Sequence, residues 1–200
     1  MPPMPPITQA LMLINVGVFC LQFLTGGYAF NHLFALYPLG PDFLPWQIVT
    51  YAFLHGDMLH LFFNMMGLWM FGAELEVVWG RKRFMQFYAA CVLTAALCQL
   101  ILCAVIGVNA PTVGASGGLF GLLLAFGMLF PDRTIMPLFP PIPMKAKWFV
   151  AIFGALELIL GIAAPMGGVA HFAHLGGMLG GYVMLRYWRG QPPFRGGRRR

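Results

Sequence analysis

Residues 114–121 read Gly-Ala-Ser-Gly-Gly-Leu-Phe-Gly and open an apolar segment of the chain. Gly117 and Gly121 form a G-x-x-x-G pair, which places two glycines on one helix face and lets a second helix approach closely in lipid. Ser116 stands at the start of the same predicted helix. A serine at that position is ordinarily a helix N-cap. Whether Ser116 has a further, functional role therefore depends on the side chains of the neighbouring helix.

A second glycine-rich segment can supply that neighbour. It contains Gly177 and Gly181 at the same spacing, and His174 stands just before them. Close approach of two such helices would allow a hydrogen bond between Ser116 and His174. The two patterns together predict a serine and a histidine that meet between helices.

The composition places these segments in a membrane. Of the 200 residues, 60% are apolar and 9% are charged, and the mean hydropathy is +0.77. A soluble domain carries about 25% charged residues, because its surface faces water. We therefore expect a polytopic membrane protein without a second, soluble domain. The N-terminal residues carry no basic region or cleavage site typical of a removable signal peptide.

Six apolar segments approach the length of about 20 residues that a helix needs to cross roughly 30 Å of hydrocarbon. They are residues 7–24, 58–78, 84–106, 116–130, 148–163 and 170–187. The predicted fold class is an all-α membrane protein, a six-transmembrane-helix bundle within residues 1–188. The basic tail, residues 189–200, is predicted to be disordered.

The basic residues predict the orientation of the bundle. All twelve Lys and Arg residues fall between the second and third segments, between the fourth and fifth, or at the end of the sixth and beyond. With six spans and a cytoplasmic C-terminus, all three groups lie on the cytoplasmic face, as the positive-inside rule expects. The N-terminus is then also cytoplasmic, and the loop of residues 28–57 lies in the outer interface. The net charge of +6 needs no nucleic-acid partner, because anchoring at the inner face of the bilayer explains it.

Polar side chains concentrate at the outer ends of three segments, where they are expensive in lipid unless paired. The second segment carries His60 and Asn64, the fourth Ser116, and the sixth His171 and His174. Ser116, His174 and Asn64 each lie 15–17 residues from a basic residue at the inner boundary. At the helical rise per residue, all three lie about 22–26 Å above that boundary. This common depth favours one shared site.

These groups suit acyl transfer. A serine hydroxyl is a poor nucleophile until a base takes its proton, and histidine is the usual base near neutral pH. Asn64 and His60 are one helical turn apart and could donate hydrogen bonds to an oxyanion, as could the backbone N–H of Ser116. We predict Ser116 as nucleophile and His174 as general base and acid, with no cofactor.

Two neighbours of this set leave alternatives open. His171 and His174 share a helix face and could bind a metal, but no acidic or cysteine ligand is expected at their depth, so no metal is predicted. His171 is expected to be a solvated cap residue. Glu157, in the fifth segment, could hydrogen-bond to a neighbouring helix, belong to a gate, or be a protonated carboxyl.

From about residue 7 to residue 188 the chain resembles the rhomboid family of intramembrane serine proteases. The motifs that carry the resemblance are His55-x-x-x-x-His60-x-x-x-Asn64, Gly114-Ala115-Ser116-Gly117 and Ala173-His174-x-x-Gly177-x-x-x-Gly181. The resemblance implies a rhomboid-type six-helix bundle and a Ser116–His174 dyad with no third carboxylate. It also favours His174 over His171 as the base.

The resemblance implies supporting roles as well. Asn64, His60 and the Ser116 amide would stabilise the oxyanion. His55 would be a structural hydrogen-bonding residue, and Phe120 would pack against the catalytic histidine. Structural support would come from the motif glycines Gly114, Gly117, Gly177 and Gly181. Gln47 follows Trp46 where the family often has Arg, which weakens the expectation that this position anchors the first loop.

By the same resemblance, the substrates would be single-span membrane proteins cleaved in or near the outer part of their transmembrane helix. The fifth segment and the loop of residues 164–169 would form a lateral gate. A catalytically silent relative that binds membrane clients is disfavoured, because Ser116 and His174 are both present. A small transporter is disfavoured, because the polar cluster lies at the outer end of the helices. The expected location is the plasma (inner) membrane of a prokaryote; the oligomeric state is left open.

Overall fold

The computed structural model describes residues 3–107, 110–138, 141–163 and 170–194. This part of the chain is mostly helical. Its α-helices are α1 (Pro6–Leu24), α2 (Tyr28–Phe34), α3 (Gln47–Thr50), α4 (Met58–Gly67), α5 (Ala73–Ile106), α6 (Ser116–Leu129), α7 (Ala146–Ala163) and α8 (His171–Trp188). A short antiparallel pair, β1 (Thr134–Ile135) and β2 (Met144–Lys145), precedes α7. The predicted gate loop of residues 164–169 and residues 195–200 of the predicted tail lie outside the described residues.

The second and third predicted segments form one long helical stretch. A 3-10 turn (Tyr51–Phe53) leads towards α4, and a π-helical turn (Leu68–Gly72) joins α4 to α5. Within α5 the backbone of Gly80 is non-helical, with φ 74° and ψ 163°. Because glycine adopts positive φ without steric strain, the chain changes direction at this one residue. The predicted connection between residues 78 and 84 is therefore a break at a single glycine.

Within the described residues, three helical stretches are long and apolar enough to cross a membrane: Pro6–Leu24, the 49-residue stretch Met58–Ile106, and Ala146–Ala163. Helix α6 is apolar but shorter. The helices follow the predicted apolar segments to within a few residues, and the prediction of several apolar helices is confirmed. The count of six spans stays a prediction.

The loop of residues 28–57 is folded around the buried side chain of Gln47. The Gln47 side-chain oxygen accepts hydrogen bonds from the backbone N–H groups of Tyr37 and Leu44, both at 3.2 Å. Its amide nitrogen donates to the backbone oxygens of His32, at 3.3 Å, and Asp42, at 3.2 Å. Gln47 therefore anchors the loop, a role that the departure from the Trp-Arg pattern leaves undetermined in the sequence.

The basic groups meet at one end of the bundle. Arg133, which directly precedes β1, forms a salt bridge with Glu74 near the start of α5. The guanidinium of Arg83 lies 5.8 Å from the ring centroid of Trp188, the last residue of α8. The ring centroid of Trp79, five residues after Glu74, lies 5.4 Å from that of Trp188, so these contacts lie at one end of the helix bundle. The side of the membrane that this end faces stays a prediction.

The first helix is joined to α5 by a buried carboxylate. Glu76 accepts hydrogen bonds from the backbone N–H groups of Ile7, at 2.9 Å, and Thr8, at 2.7 Å, and from the Thr8 hydroxyl, at 2.9 Å. The first N–H groups of a helix have no partner within the helix, and their partial positive charge favours an anion. Glu76 therefore fixes the start of α1 against α5.

Replacing Glu76 with Gln should lower the free energy of unfolding by about 1–3 kcal/mol, because the hydrogen bonds lose their charge assistance. In addition, the NH2 group of Gln cannot accept a hydrogen bond, so one side-chain oxygen would have to serve all three donors. Reversible unfolding in mild detergent would measure this. Glu74→Gln is the matched control. It removes only the partly exposed pair with Arg133, so its effect should stay below about 1 kcal/mol. Equal effects of the two substitutions would contradict the assigned role of Glu76.

Candidate active site

Ser116 and His174 meet across two helices. Ser116 is the first residue of α6, and His174 lies in the first turn of α8. The Ser116 Oγ lies 2.7 Å from the His174 Nε2, and the histidine is 9% exposed. This is a hydrogen-bond distance, and it places an imidazole nitrogen where it can take the hydroxyl proton.

The backbones of α6 and α8 are in direct contact at the glycines. A Cβ atom added to Gly177 would fall on the carbonyl oxygen of Gly117. One added to Gly181 would lie 3.1 Å from the carbonyl oxygen of Gly121, and one added to Gly121 would lie 2.9 Å from that of Gly177. No larger residue fits at these positions unless the helices separate. This contact sets the distance between the two helices at which Ser116 and His174 can form their hydrogen bond.

The face of the His174 ring is covered by Phe120. The two ring centroids are 4.3 Å apart, and the planes differ by 8°. Phe120 lies one turn after Ser116 on α6, so the helix that carries the hydroxyl also fixes the orientation of the imidazole. Stacking of this kind restricts rotation of the histidine about its side-chain bonds.

Asn64 and His60 lie on the same cavity as Ser116 and His174. The cavity has a volume of about 970 Å³ and also reaches Phe153 of α7. Asn64 is buried, and its Nδ2 donates one hydrogen bond to the His60 carbonyl oxygen at 3.0 Å. The second hydrogen of that nitrogen remains for another acceptor. The structure therefore brings together the four residues for which the sequence predicts chemistry.

Gly114 keeps space open between His60 and Ser116. Its φ is 130°, a conformation that L side chains rarely adopt. A Cβ atom there would lie 2.8 Å from the His60 Nε2 and 3.4 Å from the Ser116 Oγ. The missing side chain leaves room beside the serine hydroxyl and the histidine ring.

His55 supports His60 by packing. Its backbone N–H donates to the Gln22 side-chain oxygen at 3.0 Å, and its carbonyl oxygen accepts from the Gln22 amide at 3.2 Å. Its ring nitrogens have no hydrogen-bond partner in the described part of the chain, and the ring lies 5.0 Å from that of His60. Burial, helped by the neighbouring His60, lowers the pKa of His55 to about 4. His55 is therefore neutral near pH 7, and its hydrogen bonds come from the backbone.

His171 and Glu157 differ from their sequence-based expectations. His171 is 9% exposed, so its assignment as a solvated cap residue is wrong. Its Nδ1 lies 2.7 Å from the Glu157 Oε2, and the His174 Nδ1 lies 2.9 Å from the same oxygen. The expectation that no acidic group shares the depth of these histidines is also wrong. The expectation of a catalytic dyad without a third carboxylate stays a prediction. Among the three interpretations of Glu157, the hydrogen bond to a neighbouring helix is the one that the structure contains.

The relationships of the chain to known proteins agree with this geometry. The sequence model of the Rhomboid domain matches residues 43–190. The chain belongs to the rhomboid family. It is 33% identical over 181 residues to the mitochondrial Rhomboid protein 1 of Saccharomyces cerevisiae, a match that covers 88% of this chain and 51% of that protein.

Bacterial members of the family are similar as well. Rhomboid protease GluP of Bacillus subtilis is 24% identical over 188 residues, covering 89% of this chain and 34% of the relative. Rhomboid protease GlpG of Yersinia pestis is 26% identical over 185 residues, covering 92% of this chain and 62% of the relative. The matched regions thus cover 34% to 62% of the length of these three relatives, which is less than two thirds in every case. Family and apolar helices together identify a multi-pass membrane protein.

Gly177→Ala should slow the reaction of Ser116 with a fluorophosphonate by at least about tenfold and destabilise the fold by about 1–3 kcal/mol, because overpacking pushes α6 and α8 apart. Labelling rate and thermal unfolding in detergent would measure the two effects. The control is Gly17→Ala in α1, where an added Cβ meets nothing within 4 Å. Since alanine is the better helix former, this control should be neutral or slightly stabilising. A Gly177→Ala protein with the wild-type labelling rate and stability would rule out the tight contact.

Proposed function

We propose that this chain is an intramembrane serine endopeptidase that hydrolyses peptide bonds in or near the transmembrane segments of single-span membrane proteins. The observation that carries this proposal is the 2.7 Å hydrogen bond between the Ser116 Oγ and the His174 Nε2 on the wall of a large cavity. Membership of a family whose bacterial relatives are named rhomboid proteases supports it.

The geometry suits a two-step hydrolysis. As the Ser116 Oγ attacks a peptide carbonyl carbon, its proton passes to the His174 Nε2, which then donates that proton to the leaving amine. A water molecule then attacks the resulting ester, and His174 accepts its proton. The bond between the acyl carbon and the Ser116 Oγ breaks, His174 returns the proton to that Oγ, and the acid is released. Both steps pass through a tetrahedral oxyanion. Its donors in this proposal are the Ser116 N–H, the second Asn64 Nδ2 hydrogen and the His60 ring.

The shape and lining of the cavity fit an apolar peptide segment. Its polar groups lie at the outer end, whereas Leu119, Phe149 and Phe153 line it deeper in the bundle. Its volume of about 970 Å³ is near the upper end of typical small-molecule pockets, which hold about 300–1,000 Å³. A chain passing through it would bury apolar side chains beside a site that hydrolyses a peptide bond. This is the expected environment for an unwound part of a transmembrane helix.

The membrane and its sidedness belong to the same proposal. We infer a six-helix unit within residues 1–188 in the plasma membrane of a prokaryote, with both termini and all three basic groups in the cytoplasm. The Bacillus and Yersinia relatives support a bacterial origin, whereas the yeast relative is named mitochondrial. The clustering of Arg83 and Arg133 contacts at one end of the bundle supports the sidedness.

Ser116→Ala and His174→Ala should each lower cleavage of a single-span reporter in liposomes by about 10⁴–10⁶-fold, since removing either member of such a pair removes most of the catalysis. Quantifying the product fragments over time measures this, and thermal unfolding of both variants should stay close to wild type. His32→Ala removes an exposed loop histidine and serves as the control. Wild-type rates in either site variant would exclude the assignment. A wild-type protein that binds a broad panel of reporters without cutting any would instead favour the silent, client-binding alternative.

Asn64→Ala should lower kcat by about 10–1000-fold with a smaller change in KM, because an oxyanion donor acts mainly in the transition state. The matched control is Asn15→Ala. Both asparagines are buried, and each donates its Nδ2 to the carbonyl oxygen four residues earlier, at 3.0 Å for Asn64 and 2.7 Å for Asn15. Asn15 does not line the cavity. Equal losses of kcat in the two variants would show that Asn64 acts only through the fold.

A further inference from the structure

A carboxylate from α7 lies between the two histidines of α8. The side chains of Glu157, His171 and His174 are only 13%, 11% and 11% exposed. One oxygen, the Glu157 Oε2, lies 2.7 Å from the His171 Nδ1 and 2.9 Å from the His174 Nδ1. An ionisable group in an apolar bundle is expensive unless paired. The two histidines therefore fix the position of this carboxylate. The hydrolysis by Ser116 and His174 described above gives it no role.

The two ring nitrogens of His174 face different partners. Its Nε2 is bonded to the Ser116 Oγ, and its Nδ1 faces the Glu157 Oε2. For Nε2 to accept a proton from serine, the neutral ring must carry its hydrogen on Nδ1. That Nδ1 is buried and makes no aligned hydrogen bond within the described residues. The carboxylate oxygen 2.9 Å away is the acceptor that such an N–H requires, and a small rotation of either side chain would align the pair.

His171 holds the carboxylate in this position. Its Nδ1 makes an aligned hydrogen bond to the same oxygen, and the two histidine rings are perpendicular, with centroids 6.5 Å apart. On the other side of the site, Phe120 stacks on the His174 ring. Rotation of the imidazole is thus restricted by a stack on its face and by a charge at its edge.

We propose that Glu157 is a positioning residue of this active site, held by His171, which keeps His174 in the Nδ1–H tautomer and stabilises the imidazolium that forms when Ser116 loses its proton. This inference rests on the proposed serine endopeptidase function. The proton travels from the Ser116 Oγ to the His174 Nε2 and on to the leaving group. Glu157 accepts a hydrogen bond throughout and gains no proton.

The same three residues could in principle ligate a metal, since their ligand atoms lie within 4.8 Å of one another. The distances favour direct hydrogen bonds. Two ligands of a tetrahedral zinc ion, each at about 2.0–2.1 Å from the metal, lie roughly 3.3 Å apart. The observed 2.7 Å and 2.9 Å separations are shorter and match N–H···O bonds.

The test compares Glu157→Gln with Glu157→Asp and with the wild type in liposomes. Glu157→Gln should lower kcat by about 10–1000-fold and slow fluorophosphonate labelling of Ser116 to a similar degree, because the base loses its orienting charge. KM should change less than about threefold, since Glu157 is not expected to touch the substrate. Glu157→Asp keeps the charge on a shorter side chain and should recover part of kcat. Asp132→Asn, which removes an exposed carboxylate remote from the site, should leave both kcat and KM unchanged.

A second measurement is independent of proteolysis. In detergent micelles, ¹⁵N NMR of labelled histidine rings distinguishes Nδ1–H from Nε2–H. His174, assigned by comparison with the His174→Ala spectrum, should be in the Nδ1–H form in the wild type and should shift towards a mixture in Glu157→Gln. If the wild type cleaves nothing and this shift still occurs, the endopeptidase proposal fails and the positioning of His174 stands.

Three results would overturn the inference. The first is a Glu157→Gln protein with unchanged kcat and an unchanged His174 tautomer. The second is a loss of thermal stability and a rise in KM that Glu157→Asp does not reverse, which would make Glu157 a structural link only. The third is stoichiometric zinc in the purified wild type that disappears in Glu157→Gln, which would make the carboxylate a metal ligand.

Discussion

The site depends on a contact in which no side chain takes part. The carbonyl oxygen of Gly117 occupies the space that a Cβ atom on Gly177 would need, so α6 and α8 touch backbone to backbone. In lipid, helices gain little from apolar contact alone, because the surrounding hydrocarbon is equally apolar, and they associate through close packing and polar bonds. The serine side chain is short. Only helices in backbone contact bring its Oγ to 2.7 Å from an imidazole on the neighbouring helix.

Buried polar groups then fix the remaining helices around that contact. Glu76 ties the start of α1 to α5, Gln47 closes the long loop on itself, and Glu157 ties α7 to α8. An unpaired polar group in such surroundings is costly, so each pair defines one arrangement of its two segments far more sharply than apolar packing does. The same physical rule therefore governs the fold and the site. In both, the polar side chains that join two segments do so through hydrogen bonds to a partner on the other segment.

Much of this arrangement follows from the sequence, because length and hydropathy determine where membrane helices begin and end. The depth count put Ser116, His174 and Asn64 at one level, and all three line one cavity. The break at Gly80 was not predicted, since a glycine beside three basic residues is equally compatible with an ordinary loop. The sequence does not predict the role of Gln47, because its four hydrogen-bond partners are backbone groups, which no residue pattern reveals.

The position of Glu157 could not be predicted for two further reasons. Counted from Lys147 it lies ten residues into the segment, about 15 Å above the inner boundary and short of the depth of His174. The count assumes upright helices and ignores the reach of a long side chain. In addition, α7 is apolar nearly all round, and such a helix carries no amphipathic pattern that indicates which face meets α8. The contacts that α7 makes depend on how the helix is rotated about its own axis, and the sequence does not show this rotation.

Helix α7 is also where the fold and the site are most directly coupled. Its buried residues are Ala146, Phe149, Val150 and Gly161. The first three belong to its N-terminal half. In the C-terminal half, Gly161 lies against α8, where an added Cβ would be 2.8 Å from the Phe172 ring and 3.2 Å from the His171 Cβ, and Glu157 is hydrogen-bonded to His171 one turn earlier. A movement that separates the C-terminal half of α7 from α8 must break that hydrogen bond, and it withdraws the carboxylate from the His174 Nδ1 at the same time. Under the proposed role of Glu157, the charge that orients His174 is therefore present only when α7 is packed against α8.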